Sequence, residues 1–320
     1  MNSAEKFGQA FLAIGLFVGV MVIVLLIADR VRRGSSERVN AAAFLGPAVL
    51  LLVGGLLYPA VLTIIASFQG PRGTAFVGLN NYVDIFTESQ YLIVLRNTFL
   101  WVLFTPIIAT GIGLLYAVLV DRVRGEAVAK AFIFLPVAIS LVGASIIWKF
   151  VYEYRPEGVN QIGLANQILV WLGLNPYQFF LHSPWNTLFM IVIMIWIQAG
   201  FAMTVLSAAI KAIPDDMIEA ARLDGVYGFK MFRFITVPSI RPALIVVVTT
   251  IGIGTLKVFD IVRTTTGGQF QTSVVANEFY DQSFRFFNEG LGSAFAVLLF
   301  VLVIPIVIYN IRQLRKTEAR

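Results

Sequence analysis

The stretch WNTLFMIVIMIWIQAGFAMTVLSAAI, residues 185–210, contains no Asp, Glu, Lys or Arg. A helix needs about 20 mostly apolar residues to cross the hydrocarbon core of a bilayer, and this run exceeds that length. It is followed at once by Lys211, then by Arg222, Lys230, Arg233 and Arg241. A charge-free run closed by a basic segment reads as a membrane span whose C-terminal end meets water. The whole chain shares the bias: of its 320 residues, 58% are hydrophobic and 13% charged, and mean hydropathy is +0.83. A soluble domain is nearer 45–50% apolar and about 25% charged. The composition therefore excludes a soluble enzyme, a disordered chain and a coiled coil. Without Cys there are no disulfides or thiolate ligands, and the single His182 leaves no His cluster.

Working outward, further uncharged runs predict spans at Phe7 to Ala28, Val39 to Pro71, Asn97 to Val120 and Ala131 to Trp148. Gly290 to Ile311 supplies the last one. A sixth at Pro242 to Leu256 is short, and spans only by running past Lys257 and Asp260 to about Val262. The expected fold class is all-α and polytopic, with about seven transmembrane helices. Residues 1–40 form an extra N-terminal helix and basic linker, and residues 41–320 a six-span domain with its main inner connection at 211–241.

Basic residues orient the spans. Arg30, Arg32, Arg33 and Arg38 follow the first; Arg122, Arg124 and Lys130 separate the third and fourth. Lys211, Arg222, Lys230, Arg233 and Arg241 separate the fifth and sixth, and Arg312, Arg315, Lys316 and Arg320 form the tail. These sixteen of the 24 Lys and Arg fall on one side, which the positive-inside rule makes cytoplasmic. The N-terminus is expected outside and the C-terminus inside. The first span does not read as a signal peptide, because its basic cluster follows the apolar run. Outer connections are expected at Gln69 to Gln90, at Tyr152 to Pro184 and from Gly267-Gly268. The second holds an amphipathic helix over Ile162 to Leu172, at the membrane surface.

The largest inner connection reads IPDDMIEAARLDGVYG over residues 213–228 and FKMFRFITVP over 229–238. Pro214 suits the first helical position, and Asp215 and Asp216 place negative charge on the positive end of the helix. Met217, Ala220, Ala221 and Leu223 give a small, partly apolar face, and Gly225 stops the helix in a left-handed C-cap. Val226, Phe229 and Phe232 recur every three residues and predict a second short helix. Pro238 and Pro242 end it and start the next span.

Glu219-Ala220-Ala221, Gly225, Ile235 and Pro238 resemble, in that spacing, the EAA loop of ATP-binding-cassette importer permeases. That pattern is EAA, three residues, Gly, nine residues, Ile, one residue, Leu-Pro; Val237 replaces the Leu. The resemblance implies a six-helix type I importer core. It also implies that Glu219, Ala220, Ala221, Asp224, Gly225, Ile235 and Pro238 couple the chain to an ATPase subunit. Leu135-Pro136 with Trp148 and Gly158-Val159-Asn160 is similar to the maltose-type carbohydrate subgroup. So is Phe259-Asp260 with Thr266-Gly267-Gly268, although Gln269 stands where Pro often follows. Gly267 to Arg312, with Asn277-Glu278-Phe279 and Ser283-Phe284-Arg285, looks most like the α-glucoside (maltose or trehalose) members. The partners so implied are a second homologous permease, two ATP-binding subunits and an extracytoplasmic solute-binding protein, in the plasma (inner) membrane.

No Gly-x-x-x-x-Gly-Lys-Ser/Thr occurs, so no loop of this chain cradles ATP phosphates. The resemblance implies that ATP and Mg are bound by the partner subunits; no cofactor or metal is expected here, and the chain is not expected to be an enzyme or to bind nucleic acid. The candidate solute path holds Gln198, Asp260 and Asn277. Polar groups inside a membrane are costly and often functional, yet Gln198 equally suits a helix–helix hydrogen bond. Lys257, Asp260 and Arg263, at i, i+3 and i+6, equally suit local ion pairing with snorkelling. Trp101, Trp148 and Trp185 fit interfacial belts, Arg96-Asn97 fits an interface, and His182 a solvated loop. The alternatives are a secondary transporter, a permease for another delivered solute (polyol, glycerol phosphate), or a purely structural membrane subunit. A secondary transporter predicts inverted repeats and broken mid-membrane helices, neither of which is evident in the sequence.

Overall fold

The computed structural model describes residues 37–73, 75–121 and 123–318, with five isolated positions between 8 and 22. Apart from those positions, the expected span Phe7 to Ala28 lies outside the described residues. The chain divides into two compact units, Met1–Ile65 and Ala66–Arg320. In the first, α1 (Glu37–Leu52) passes through a π-helical turn, Val53–Leu57, into α2 (Tyr58–Ala66). Pro59 has no N–H to offer the Gly55 carbonyl, so the helical ladder slips by one residue just before it. Leu45–Ala66 is apolar enough, at a mean hydropathy of 2.4 over 22 residues, to cross a membrane.

The second unit contains α3 (Asn80–Thr87), α4 (Ser89–Val120), α5 (Glu126–Phe134), α6 (Leu141–Val151), α7 (Leu164–Trp171), α8 (Trp185–Lys211) and α9 (Asp215–Leu223). Then come α10 (Phe229–Ser239), α11 (Arg241–Leu256), α12 (Asp260–Thr265), α13 (Val275–Tyr280) and α14 (Glu289–Glu318). Helices α4 and α8 run parallel. Arg96 donates to Ser183 Oγ (3.1 Å) at one end, and Ser207 donates to Asp121 Oδ1 (2.7 Å) at the other. Between them, Gly113 meets Ala202 so closely that an added Cβ would lie 2.4 Å from the Ala202 Cβ. Without a hydrophobic drive between helices in lipid, such close backbone approach is a main source of association.

Parallel neighbours need a return crossing, and α5 and α6 make it. Lys130 bonds Ser207 near the end of α8, and Ile133 lies against Gly200. Trp148 meets Trp196 (ring centroids 5.9 Å), and Tyr152 donates to the Phe189 carbonyl (3.3 Å). The pair thus climbs the length of α8, but bends by 103°. This corrects the expectation of one continuous span from Ala131 to Trp148. Pro136 sits in a 3-10 turn, Leu135–Ala138, and Ser140 restarts the helix by accepting from the Gly143 N–H at 3.0 Å. A run of apolar residues hid that break from hydropathy.

Helix α11 also climbs antiparallel to α8. Ile240, just before it, and Ile213, just after α8, share one core, whereas Thr265 reaches the Met190 sulfur (3.1 Å) near the start of α8. The expected continuation through Lys257 to Val262 is interrupted. The last bonds tighten to i−3 at Lys257 (3.3 Å) and Val258 (3.0 Å), and α12 begins afresh at Asp260. Two broken helices are therefore present that the sequence did not reveal. Helix α14 returns, with Phe295 edge-on to Tyr91 (5.2 Å) and Asn310 donating to Thr249 (3.1 Å).

Among the described residues, four helices are long and apolar enough to span a membrane, or up to six if α5 with α6 (bent by 103°) and α10 with α11 (bent by 69°) each count as one span. The protein is an all-α, multi-pass membrane protein. Trp101, Met190, Ile193, Met203, Leu206 and Ile251 anchor the main core. Trp101, expected in an interfacial belt, is fully buried in it, because α4 turns that face toward α8. The chain connections put Arg124, Lys130, Lys211, Arg222, Lys230, Arg233 and Arg241 at one end of this unit, hereafter the basic end.

Candidate functional site

The basic end carries the segment singled out for coupling. Pro214 is the N-cap of α9, one position earlier than expected, and Asp215 and Asp216 occupy the first turn. The far end closes in a Schellman motif: the Val226 N–H reaches the Ala221 carbonyl (2.9 Å) and the Gly225 N–H the Arg222 carbonyl (3.0 Å). Gly225 has φ +78, the left-handed conformation that only Gly adopts without steric cost. Glu219, Ala220 and Asp224 are exposed, and Ala221 alone in α9 is buried. Leu223 is 90% exposed. A nine-residue helix is marginal in water, and here it is held from below: Ile213 and Ile240 lie in the core with Ile218 packed on them. Ser239 bridges back, meeting the Met217 sulfur (3.7 Å) and donating to the Ile235 carbonyl (2.7 Å).

Ile235 is half-buried and Pro238 exposed. The helix runs through Pro238 to Ser239, after a π-helical turn at Phe232–Thr236. This is the same spacing of π turn and Pro as at Pro59, with the same missing N–H as its cause. Gly228 (φ +54, ψ −127) takes a positive-φ conformation open mainly to Gly just before Phe229, which sequence reasoning passed over although a Gly next to a predicted helix start was the available signal. Phe229, Phe234 and Tyr227 stand exposed beside α9.

Above α9 lies a cluster missed in the sequence. Lys130 Nζ bonds Asp121 Oδ1, Glu126 Oε1 (2.8 Å) and Ser207 Oγ, and Lys211 bonds Glu126. It ties the ends of α4, α5 and α8. Asp121 is largely buried, and its Oδ2 has no hydrogen-bond partner among the described residues. The residues are up to 90 positions apart in sequence, so no local spacing announced them.

The three residues proposed for the solute path are not brought together. Gln198 is half-buried on α8, and Asp260 is half-buried in the first turn of α12. Asn277 is fully buried in α13, near the end opposite the basic one. Its Nδ2 donates to Ser273 Oγ (3.0 Å) and Asp281 Oδ2 (3.2 Å), and its Oδ1 has no partner among the described residues. Arg263 does not pair with Asp260 as its spacing suggested. It bonds Asp281 (2.9 Å) and lies over the Tyr280 ring (4.7 Å), and Arg285 bonds the same carboxylate (3.1 Å). A largely buried carboxylate is worth more to a cation than a half-exposed one. Other polar groups inside the spans also escaped notice: Trp101 Nε1, Thr105 Oγ1 and Thr110 Oγ1 on α4 have no partner among the described residues. No group of three or more His, Cys, Asp or Glu that could hold a metal occurs among the described residues.

Residues 93–315 match the family described as "Binding-protein-dependent transport system inner membrane component". The chain is 48% identical over 275 residues to the "Osmoprotective compounds uptake permease protein GgtC" of Synechocystis sp., covering 86% of this chain and 99% of that one. It is 47% identical over 271 residues to the "Alpha-glucoside transport system permease protein AglF" of Rhizobium meliloti, covering 84% and 81%. Its fold is like that of a chain in a bacterial alginate ABC transporter crystallised with an alginate pentasaccharide-bound periplasmic protein. There the TM-score is 0.73 at 22% identity, over 86% of this chain and 93% of that one.

Proposed function

This chain belongs to the family of inner-membrane components of binding-protein-dependent transport systems. From that premise we propose that it is the permease subunit of an ATP-driven importer of di- or oligosaccharides such as α-glucosides. Its partners are a second homologous permease, two ATP-binding subunits that hold ATP and Mg, and an extracytoplasmic solute-binding protein. The basic end faces the cytoplasm, with the C-terminus inside and the N-terminus outside, and residues 1–40 form an extra helix before the six-span domain of residues 41–320. Glu219, Ala220, Ala221, Asp224 and Gly225, steadied by Ile235 and Pro238, dock on an ATPase subunit. Gln198, Asp260 and Asn277 belong to the solute path.

One observation carries the coupling role: α9 starts on two acidic residues and is closed by a Schellman motif, yet exposes Glu219, Ala220 and Leu223. A short helix so rigid and so uncovered is suited to receive a push and hand it to the core through Ile213 and Ile218. ATP-driven closure of the partner subunits moves α9, and with it the spans, as rigid bodies between outward- and inward-facing arrangements. The sugar reading draws on the likeness to the α-glucoside permease. The equal likeness to the osmoprotectant permease supports a second reading, in which the delivered solute is an osmoprotective compound.

Uptake by cells lacking this chain decides between them. Loss of maltose, trehalose or sucrose uptake is the expected result. Intact sugar uptake beside lost uptake of an osmoprotective compound transfers the assignment to the second reading. Tags at the two termini test orientation, since labelling of both from one side of the membrane contradicts the proposed seven spans.

A further inference from the structure

At the end opposite the basic one, the connection from α12 to α13 holds two consecutive non-glycine residues at positive φ, Phe270 (+55) and Gln271 (+59). Each costs about 1–2 kcal/mol in the left-handed region, and such strain persists only where its surroundings over-determine it. They do so here. Asn186, fully buried on α8, donates to the Phe270 carbonyl (2.7 Å). Asn97, fully buried on α4, donates to the carbonyls of Gln271 (2.7 Å) and Ser273 (3.0 Å). Two parallel spans thus hold one strained loop at its backbone and leave the Gln271 side chain to point elsewhere.

That loop walls a cavity of about 370 Å³, lined among others by Ser89, Tyr91, Gln271, Ser273 and Glu278. Its carboxylate differs in kind from its neighbour. Asp281 is neutralised by Arg263 and Arg285, whereas Glu278, one turn earlier, has no ion pair among the described residues. Its donors are neutral: Ser273 Oγ (3.1 Å) and Gln282 Nε2 (2.9 Å). Gln282 also donates to the Tyr91 hydroxyl (3.3 Å), which leaves the phenol proton for another acceptor. The cavity therefore offers a carboxylate acceptor without a cation partner among the described residues, hydroxyls and a primary amide within a volume that admits one sugar ring.

We propose that this cavity is an outer subsite for a neutral polyhydroxylated solute, one pyranose ring of an incoming saccharide. Glu278 accepts from paired hydroxyls in charge-assisted hydrogen bonds, and Gln271, Ser89 and the Tyr91 hydroxyl complete the contacts. Asn97 and Asn186 are positioning residues that fix the wall. This rests on the sugar reading above, and it adds a site at the outer face apart from the half-buried Gln198 and Asp260.

The test uses the assembled permease–ATPase complex in lipid nanodiscs, with binding protein omitted so that its own site does not contribute. Saturation-transfer NMR with maltose reads occupancy. Gln271→Ala and Ser89→Ala remove side chains that take no part in the loop clamp, so both variants keep the fold. Each lost hydrogen bond is expected to weaken maltose binding about three- to tenfold, and Ser89→Trp, which fills the cavity, is expected to abolish it. Uptake in proteoliposomes supplied with loaded binding protein should slow in Ser89→Trp. Maltose binding unchanged in both Gln271→Ala and Ser89→Trp overturns the subsite, even where sugar uptake is normal. A choline signal in place of maltose overturns the assigned ligand class. If the wild-type complex takes up no maltose, trehalose or sucrose, the sugar reading fails and the subsite fails with it.

Discussion

The two ends of the unit Ala66–Arg320 are fastened by different chemistry. At the basic end the ends of α4, α5 and α8 are joined by charge, through Lys130, Asp121, Glu126 and Lys211. At the other end, α4 and α8 hold the loop after α12 with two neutral amides, Asn97 and Asn186. Beyond the ion cluster, the basic end presents a helix with one buried residue and a row of exposed aromatic and aliphatic side chains. At the opposite end Asn97 and Asn186 hold a strained backbone in one shape, beside the separate ion cluster of Arg263, Arg285 and Asp281. A surface built to be gripped by a partner needs uncovered area on a rigid base, whereas a wall built to present side chains needs its backbone fixed from behind. The contrast teaches that rigidity is supplied where shape is used, and exposure is kept where contact is made.

Breaking the end proposed to dock on an ATPase subunit should have the largest effect. Glu219→Lys reverses charge on the exposed face of α9, and Gly225→Val forces a β-branched residue to φ +78, which it tolerates poorly. Both variants should insert normally yet lose at least about 99% of ATP-driven uptake, since the step removed is the coupling itself. Wild-type uptake with normal ATPase stimulation in both would end the coupling assignment.

The shared middle comes next. An Ala at position 113 would place its Cβ 2.4 Å from Ala202 Cβ and 2.7 Å from Met203 N. Backbone cannot yield as a flexible side chain does, so Gly113→Ala is expected to cost about 3 kcal/mol, read as a drop in thermal unfolding temperature in detergent. A neutral result would mean that α4 and α8 are less closely packed than described.

The fasteners themselves sharpen the comparison. Lys130→Met leaves the largely buried Asp121 without its cation, an expected loss of about 2–3 kcal/mol, below the 3–5 typical of a fully buried pair because Lys130 is partly exposed. Asn97→Ala strips two backbone carbonyls of their donor and should cost about 2 kcal/mol. Hydrogen exchange distinguishes the two. Asn97→Ala should speed exchange over residues 266–273 with little change at the basic end, and Lys130→Met the reverse. Uniform loosening by either variant would argue that the ends are one cooperative unit. The smallest effect is expected at Lys211, whose side chain is about half exposed. Lys211→Ala should shift stability by about 0.5 kcal/mol, and less at high salt.

Much of this was legible in the sequence for a physical reason. Lipid demands long apolar runs with their hydrogen bonds satisfied internally, so residues 185–210 announced a helix that ends one residue later, at Lys211. Asp215, Asp216 and Gly225 announced α9 and its left-handed stop, because caps and turns are local. Hydropathy was blind to the bend between α5 and α6, since Leu135, Pro136, Val137 and Ala138 are as apolar as a continuous helix would be. It was equally blind to the break at Lys257, where the charge was taken to snorkel and the ladder instead stops.

What the sequence determined by itself, then, was the class of solvent, the all-α multi-pass fold, the clustering of cations along the chain and the short helix α9 with its left-handed stop. Each of these is set by residues within a few positions of one another. Which charges pair and which polar groups stand alone was decided only by the tertiary structure. Arg263 passes over Asp260, three residues away, for Asp281, eighteen away. Asn97 reaches a carbonyl 174 positions distant, and Lys130 a hydroxyl 77 distant. The strength of such contacts follows from burial, and burial is a property of packed helices that no spacing along the chain contains.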